Sequence, residues 1–364
     1  MDASVDLIDW LGEDTSLALG GLAIGALFGF FAQRSRFCLR AAVVDVARAQ
    51  GGSKLSIWLL AFSSALILTQ GLILLGAFDT ANVRQLSSRG SLSGSLIGGL
   101  LFGVGMVLAR GCSSRLLVLA ANGNLRALLS GLIFAVTAQA SMSGILSPWR
   151  ETLGQLWTIE GGNARDLLAW TGIGNGGGLL FGLLWLAAGA WFAWRRRIGT
   201  WGWIGGIGAG LAVGCAWWFT YRMSTLVFAP TAVQSMSFTG PSADVLMLVL
   251  SPPGQPLNFD LGMVPGVFLG SFVAALLVGE LKLEGFQGGH AMRRYIVGAV
   301  LMGFGGMLAG GCAVGAGISG AAVFAVTSWA TLAAMWGGAT LTDWLIDRHG
   351  ALTTASIAAP PTAP

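Results

Sequence analysis

Three of the four cysteines in the sequence lie at similar points, each between a long apolar run and a short one. Cys112 and Cys312 directly follow Gly111 and Gly311, which end long apolar runs, and Cys38 ends the stretch Arg-Ser-Arg-Phe-Cys before a short run. If the short runs are helices, each cysteine lies at a helix N-terminus, where unpaired N–H groups and the helix dipole attract anions and favour a thiolate. These residue types at these places therefore predict an anion site built from sulfur and helix ends.

The two Gly-Cys points belong to a longer repeat. Residues 98–112 and 298–312 share glycine, leucine, alanine and the final Gly-Cys at matching positions, namely Gly98, Gly103, Gly105, Leu108, Ala109, Gly111 and Cys112, each repeated 200 positions later. A weaker repeat matches glycines 21, 25 and 29 with glycines 206, 210 and 214, and the same alignment matches Cys38 with Met223. A repeat of this kind makes chance placement of the cysteines a poor explanation.

Each of these residues also has a simpler interpretation. A cysteine in a membrane helix is commonly a small packing residue, and Cys215, in the middle of an apolar run, fits that role. Arg36 and Arg110, which stand two residues before Cys38 and Cys112, fit either interfacial anchors or an electropositive vestibule. Both alternatives for the arginines stay open at this point.

The elements that must position these residues are membrane helices. The 364 residues are 54% hydrophobic and only 10% charged, with 57 glycines and 15 tryptophans, whereas a soluble domain carries about 25% charged residues. Apolar runs of about 20 residues predict nine spans, at 16–33, 55–78, 92–109, 125–146, 174–194, 201–219, 262–280, 294–309 and 328–346. The chain is thus predicted to be an all-α polytopic membrane protein surrounded by lipid.

The distribution of charge predicts the orientation. With the N-terminus outside, 15 of the 20 lysines and arginines fall on the inner face, as the positive-inside rule requires. Because the repeated spans are five crossings apart, the two copies point in opposite directions, an arrangement that places substrate sites near the midplane at broken helices. We predict an outer segment 1–15, two inverted halves at 16–146 and 201–350, a connector at 147–200 that includes one span, and a disordered tail at 351–364.

Four short segments fit neither spans nor ordinary loops. They lie at 38–49, 112–121, 312–326 and about 223–236. The three that begin with cysteine are predicted to be re-entrant half-helices, since irregular backbone at membrane depth is tolerated where it lines a cavity. Helices lying flat on the interface are the alternative.

The sequence resembles the YeeE/YedE family of bacterial membrane proteins. The similarity rests on the stretches Gly-Phe-Phe-Ala-Gln-Arg-Ser-Arg-Phe-Cys at 29–38, Gly-Val-Gly-Met-Val-Leu-Ala-Arg-Gly-Cys at 103–112 and Gly-Phe-Gly-Gly-Met-Leu-Ala-Gly-Gly-Cys at 303–312. The resemblance implies an hourglass-shaped inner-membrane protein that takes up thiosulfate past Cys38, Cys112 and Cys312 through weak S–H contacts. It also implies a small cytosolic sulfur-carrier protein, resembling a sulfurtransferase, as a partner.

Two other functions compete with sulfur-anion transport. The three cysteines and Met223 suit a Cu(I) conduit, and a single cysteine suits a membrane sulfurtransferase that carries a persulfide. The sequence shows no paired carboxylates with acid–base spacing, no nucleophile–base pattern, no nucleotide-binding loop and no basic tail for nucleic acid. We therefore expect no enzyme activity, no cofactor, no metal site and no nucleic-acid partner. Intramembrane carboxylates can relay protons, and the candidates are Asp45, Glu280 and Asp343.

Overall fold

The computed structural model describes residues 12–50, 52–227, 231–286 and 289–348, and this part of the chain is almost entirely helical. Most of the predicted outer segment 1–15 and all of the tail 351–364 lie outside the described residues. The helices are α1 Glu13–Ser35, α2 Leu39–Ala47, α3 Ser53–Leu74, α4 Arg84–Ser87, α5 Leu92–Leu108, α6 Ser113–Ala121, α7 Leu125–Ser143, α8 Ser147–Gln155, α9 Leu167–Thr171, α10 Gly174–Arg195, α11 Thr200–Leu226, α12 Thr239–Leu250, α13 Phe259–Val278, α14 Gly289–Leu308 and α15 Val326–Thr342.

The long helices confirm an all-α polytopic membrane protein. Each of the nine predicted spans overlaps one helix, namely α1, α3, α5, α7, α10, α11, α13, α14 or α15. Seven segments of the described chain are long and apolar enough to cross a membrane, and they include all of these helices except α14 and α15. Arg293 and Arg294 lower the hydropathy of α14, and α15 has only 17 residues. The count of nine spans stays a prediction.

Glycines set the closest helix contacts. In α1, a Cβ at Gly21, Gly25 or Gly29 would collide with the backbone oxygens of Phe259, Met263 and Val267 on α13, in matching order. In α11, a Cβ at Gly206 or Gly210 would meet the oxygens of Ile57 and Ala61 on α3 in the same way. Both helix pairs are therefore parallel and in backbone contact, which only small residues allow.

Helices α5 and α14 cross with reciprocal contacts. A Cβ at Gly98 would lie 2.5 Å from the oxygen of Gly305, and one at Gly305 would lie 2.7 Å from the oxygen of Gly98. Gly105 and Gly298 face each other similarly. A Cβ on Gly105 would lie 2.6 Å from the oxygen of Gly298, and a Cβ on Gly298 would lie 2.7 Å from the oxygen of Gly105. Because the residue numbers in these pairs run in opposite directions, the two helices are antiparallel.

Two of the three cysteine segments form short α-helices as predicted. Cys38 and Cys112 are the N-cap residues of α2 and α6, respectively. The third differs: the chain after Cys312 forms a π-helical segment, Gly315–Gly320. Its glycines allow a close approach that an α-helix with ordinary side chains would not, since a Cβ at Gly315 or Gly320 would collide with the side chains of Ser237 and Ser328.

Two short strands, β1 Gly90–Ser91 and β2 Thr158–Ile159, pair antiparallel and join the chain before α5 to the connector. The connector also contains a 3-10 turn, Gly162–Arg165. Together with α4 and α8, these elements cover one end of the bundle, the end at which α5 begins.

Candidate functional site

One geometry positions all three cysteines. The residue two places before each cysteine has a left-handed backbone: φ is 56° at Arg36, 56° at Arg110 and 76° at Gly310. At each point the next residue donates its N–H back to a carbonyl five residues earlier, for example Gly111 to Met106 at 3.0 Å. This is the Schellman ending of a helix. It turns the chain sharply, so that each cysteine starts a new segment.

A cavity of about 430 Å³ opens at the end of the bundle covered by the connector. Four arginines line it, coming from α4, the strand region, α8 and the 3-10 turn: Arg84, Arg89, Arg150 and Arg165. Asp244 and Asp260 line it as well, so the wall is not uniformly positive. The charge distribution in the sequence predicted that these arginines lie on the same face of the membrane, but it did not identify them as a site. The fact that they share one face is the signal from which the site could have been predicted.

Arg165 is the fixed charge of this cavity. Its side chain is only 6% exposed, Nη1 donates to the oxygen of Ser88 at 2.6 Å, and Nη2 donates to Thr327 Oγ1 at 2.7 Å. Its Nε has no partner within the described residues. Burial, with a smaller contribution from nearby Arg84, lowers the pKa of Arg165 to about 10. The guanidinium therefore keeps its charge at neutral pH, and its buried Nε–H has no hydrogen-bond acceptor within the described residues.

Cys312 lies next to this cavity, because the preceding residue, Gly311, lines it. A smaller pocket shares Arg84, Ser237 and Gly310 with the cavity and is also lined by Gly315. The fully buried Cys312 Sγ accepts N–H groups from Phe238 and Gly315, each at 3.3 Å. A Cβ on Gly311 would lie 2.8 Å from the backbone nitrogen of Ala316, so glycine is needed to bring this turn so close. The sulfur is held by two backbone donors.

Cys38 and Cys112 form a pair. Their thiols lie close enough to interact with each other, both are buried, and both are free of disulfides. Cys112 Sγ also lies 3.4 Å from Ser114 Oγ. A Cβ on Gly111 would approach Leu116 Cδ2 to 3.3 Å, so the constraint here is milder than at Gly311. The structure thus brings together two of the predicted cysteines.

Arg115 interacts electrostatically with both thiols of this pair, and Arg40 interacts with the thiol of Cys38. Its Nη1 donates to Gln33 Oε1 at 3.3 Å, and Gln33 Nε2 donates to Glu280 Oε2 at 2.9 Å. Arg36 is largely exposed and forms an ion pair with Glu280 at 3.2 Å, and Arg110 is exposed. Of the two predicted arginines, Arg36 is therefore linked to the pair through Glu280 and Gln33.

Met223 lies elsewhere. It sits inside α11, which continues past the predicted span end at residue 219, and it is buried in a small cluster with Leu17 and Val227. The prediction that a break begins at Met223 is wrong, because the helix keeps its hydrogen bonding to Leu226. Cys215, on the same helix, is exposed on the outside of the bundle.

The remaining acidic candidates have structural partners. Asp45 Oδ2 accepts the Lys54 N–H at 2.9 Å, and Asp343 forms an ion pair with Arg48 at 2.5 Å. Within the part of the chain that the structure describes, no three histidine, cysteine or acidic side chains are grouped so that they could hold a metal ion.

Comparison with known proteins gives concordant matches. The family model described as sulphur transport matches residues 34–341. The thiosulfate transporter TsuA of Escherichia coli (strain K12) is 26% identical over 366 aligned positions, covering 94% of this chain and 99% of that protein. The thiosulfate transporter TsuA of Spirochaeta thermophila is 29% identical, covering 85% of this chain and 93% of that protein.

Proposed function

Because the chain belongs to the sulphur transport family, whose model spans residues 34–341, we propose that it carries a small sulfur oxyanion, thiosulfate, across the bacterial inner membrane. One observation carries the proposal. A buried sulfur, Cys312, lies next to an arginine-lined cavity, and a second sulfur pair, Cys38 and Cys112, lies beside half-buried Arg115. The relatives named as thiosulfate transporters support the choice of substrate.

The outer cavity is suited to capture. Thiosulfate carries two negative charges, and a partly buried guanidinium attracts an anion more strongly than one in bulk water because the local dielectric is lower. Arg84 and Arg89 are exposed at the cavity wall, and the buried guanidinium of Arg165 adds a fixed positive charge to the same wall. In this proposal the anion loses water in steps as it moves from Arg84 towards Cys312.

The thiols are suited to passage rather than tight holding. Thiols are weak donors and acceptors, so each sulfur replaces part of the hydration of the anion without trapping it. A conduit has to bind an ion well enough for entry and weakly enough for exit. The Cys38–Cys112 pair next to Arg115 then takes the anion on the inner side, where the ion pair of Arg36 with Glu280 marks the exit.

The proposed architecture is two inverted halves, with the N-terminus outside. The reciprocal contacts of Gly98 with Gly305 and of Gly105 with Gly298 support it, because helices in equivalent places of an inverted repeat run antiparallel. Membrane-impermeant maleimide labelling of intact cells tests the orientation in a Cys215→Ala background. Arg89→Cys should be labelled from outside, whereas Arg196→Cys should be labelled only after lysis.

Uptake into proteoliposomes tests the function. Labelled thiosulfate should accumulate in vesicles that contain the protein, and labelled sulfate and sulfite should enter far more slowly. Entry of Cu(I) in place of thiosulfate would favour the metal conduit, although the guanidinium of Arg115 beside the thiol pair repels cations. The intact mass after incubation separates transport from sulfurtransferase activity, because a persulfide adds one sulfur atom to the protein.

The inner exit is also where a partner would receive the substrate. We propose that a small cytosolic sulfur-carrier protein docks at the inner face near Arg36 and Glu280, as expected for the family. Affinity capture on the detergent-solubilised transporter, with Arg36→Glu as the charge-reversed control, tests this contact.

A further inference from the structure

Three buried phenylalanines connect the outer sulfur to the inner sulfur pair. Phe238 donates its backbone N–H to Cys312 Sγ at 3.3 Å, and Phe37 directly precedes Cys38 in the chain. Phe28, in the middle of α1, lies between the two: its ring centroid is 5.7 Å from that of Phe238 and 6.1 Å from that of Phe37. All three side chains are nearly or fully buried.

Open space reaches the residues next to this layer of rings. The smaller pocket is lined by Ser237, which precedes Phe238, and by Gly315, which donates to Cys312 Sγ. Beyond it, Phe28 and Phe238 belong to the same packed apolar core as Cys312 and Cys112. An anion that has reached Cys312 therefore meets aromatic side chains before it can reach the inner pair.

We propose that the side chain of Phe28 is the barrier between the two sulfur layers and that it determines which anions pass. This inference rests on the proposed transport function. A tightly packed apolar constriction excludes water, so an ion can pass only if other groups replace its hydration. Thiosulfate can contact thiols on both sides of the ring as it moves, whereas an ion that depends on water for solvation has no such replacement.

The backbone at this point is fixed, which makes the ring the moving part. Gly25 and Gly29, on either side of Phe28, bring α1 into backbone contact with α13. Ser271 Oγ on α13 also donates to the oxygen of Gly29 at 3.1 Å. A shift of α1 would break these contacts, whereas a rotation of the Phe28 side chain would not. The route opens by side-chain rotation.

Ion leak through proteoliposomes tests the barrier directly. Vesicles loaded with an iodide-quenched dye report iodide entry, and labelled sulfate reports entry of a hydrated oxyanion. The Phe28→Ala variant should admit iodide and sulfate at least tenfold faster than the wild type. The Phe28→Met variant, which keeps the volume and apolar character of the side chain, should admit them no faster than the wild type. Phe62→Ala is the matched control, because Phe62 is as deeply buried but packs against Trp58, Trp185 and Trp329.

Two outcomes would overturn the inference: a folded Phe28→Ala protein that excludes iodide and sulfate as well as the wild type does, or an equal leak through Phe62→Ala. If Phe28→Ala cannot be purified, Phe28→Val carries the same expectation. If the wild type takes up no thiosulfate, the proposed function fails, yet the iodide leak still decides whether Phe28 seals the route.

Discussion

Replacing Cys312 with alanine should destabilise the protein more than the same change at Cys112, although the two residues occupy matching places in the repeat. Cys312 Sγ accepts two backbone N–H groups, from Phe238 and Gly315. Among the described contacts, neither of these N–H groups has a second acceptor. Alanine would leave both donors buried and unpaired. Cys112 Sγ interacts with one backbone N–H group, that of Arg115, and otherwise with the hydroxyl of Ser114 and the thiol of Cys38, which can both rotate to other partners.

The magnitude follows from these contacts. An orphaned buried donor costs about 1–3 kcal/mol, so two of them give roughly 2–6 kcal/mol for Cys312→Ala. Cys112→Ala removes the acceptor of one backbone N–H group, that of Arg115, and its cost should be about 1–3 kcal/mol, half of that at Cys312. Cys312→Ser restores an acceptor at the same place and should recover part of the loss.

Thermal unfolding in detergent, followed by tryptophan fluorescence, measures the difference. Cys312→Ala should melt on the order of 5 °C or more below Cys112→Ala, with Cys312→Ser between them. Uptake should nearly vanish in both alanine variants, because each lies on the proposed path. Equal melting temperatures for the two alanine variants would refute the assigned role of the Cys312 acceptor bonds, and normal uptake in both would refute the path itself.

Three further expectations concern other parts of the molecule. Arg84→Gln should raise the KM for thiosulfate several-fold and weaken its dependence on ionic strength, measured as uptake at varied salt, whereas Arg195→Gln, far from the cavity wall, should change neither. Gly298→Val should lower expression and thermal stability because a Cβ there meets the backbone of α5, while Gly131→Ala, with open space around it, should be tolerated. Cys215→Ala should retain wild-type uptake, since its side chain faces outward, and a loss of uptake would contradict that placement.

The positions of the cysteines were predictable because they depend on local chain geometry. A helix ending followed by a short apolar run predicted that Cys38 and Cys112 would start α2 and α6, and both do. The segment after Cys312 was predicted only in part. Its Gly315 packs against Ser237, which is 78 positions away in the chain, and a contact of that kind cannot be predicted from the local sequence.

Contacts between distant residues could not be predicted in the same way. Phe28 and Phe238 are 210 positions apart, and no periodicity of the sequence relates them. Arg165 lies in a polar stretch that looks like an ordinary loop, and its burial arises because Ser88 and Thr327 fold against it. The weaker repeat, which paired Met223 with Cys38, gave a wrong prediction of where α11 ends. Matching glycines along two helices do not require that both helices end at matching positions.

The glycine crossing of α5 and α14 has a mechanical consequence. Gly98 faces Gly305 and Gly105 faces Gly298, so the backbones of the two helices are in direct contact at two points. Sliding one helix by a single turn, as an elevator movement requires, would drive Phe102 or Met302 against a backbone that has room only for hydrogen atoms. Helices α5 and α14 therefore move as one unit, and in the proposed function the substrate moves past this unit rather than being carried by it.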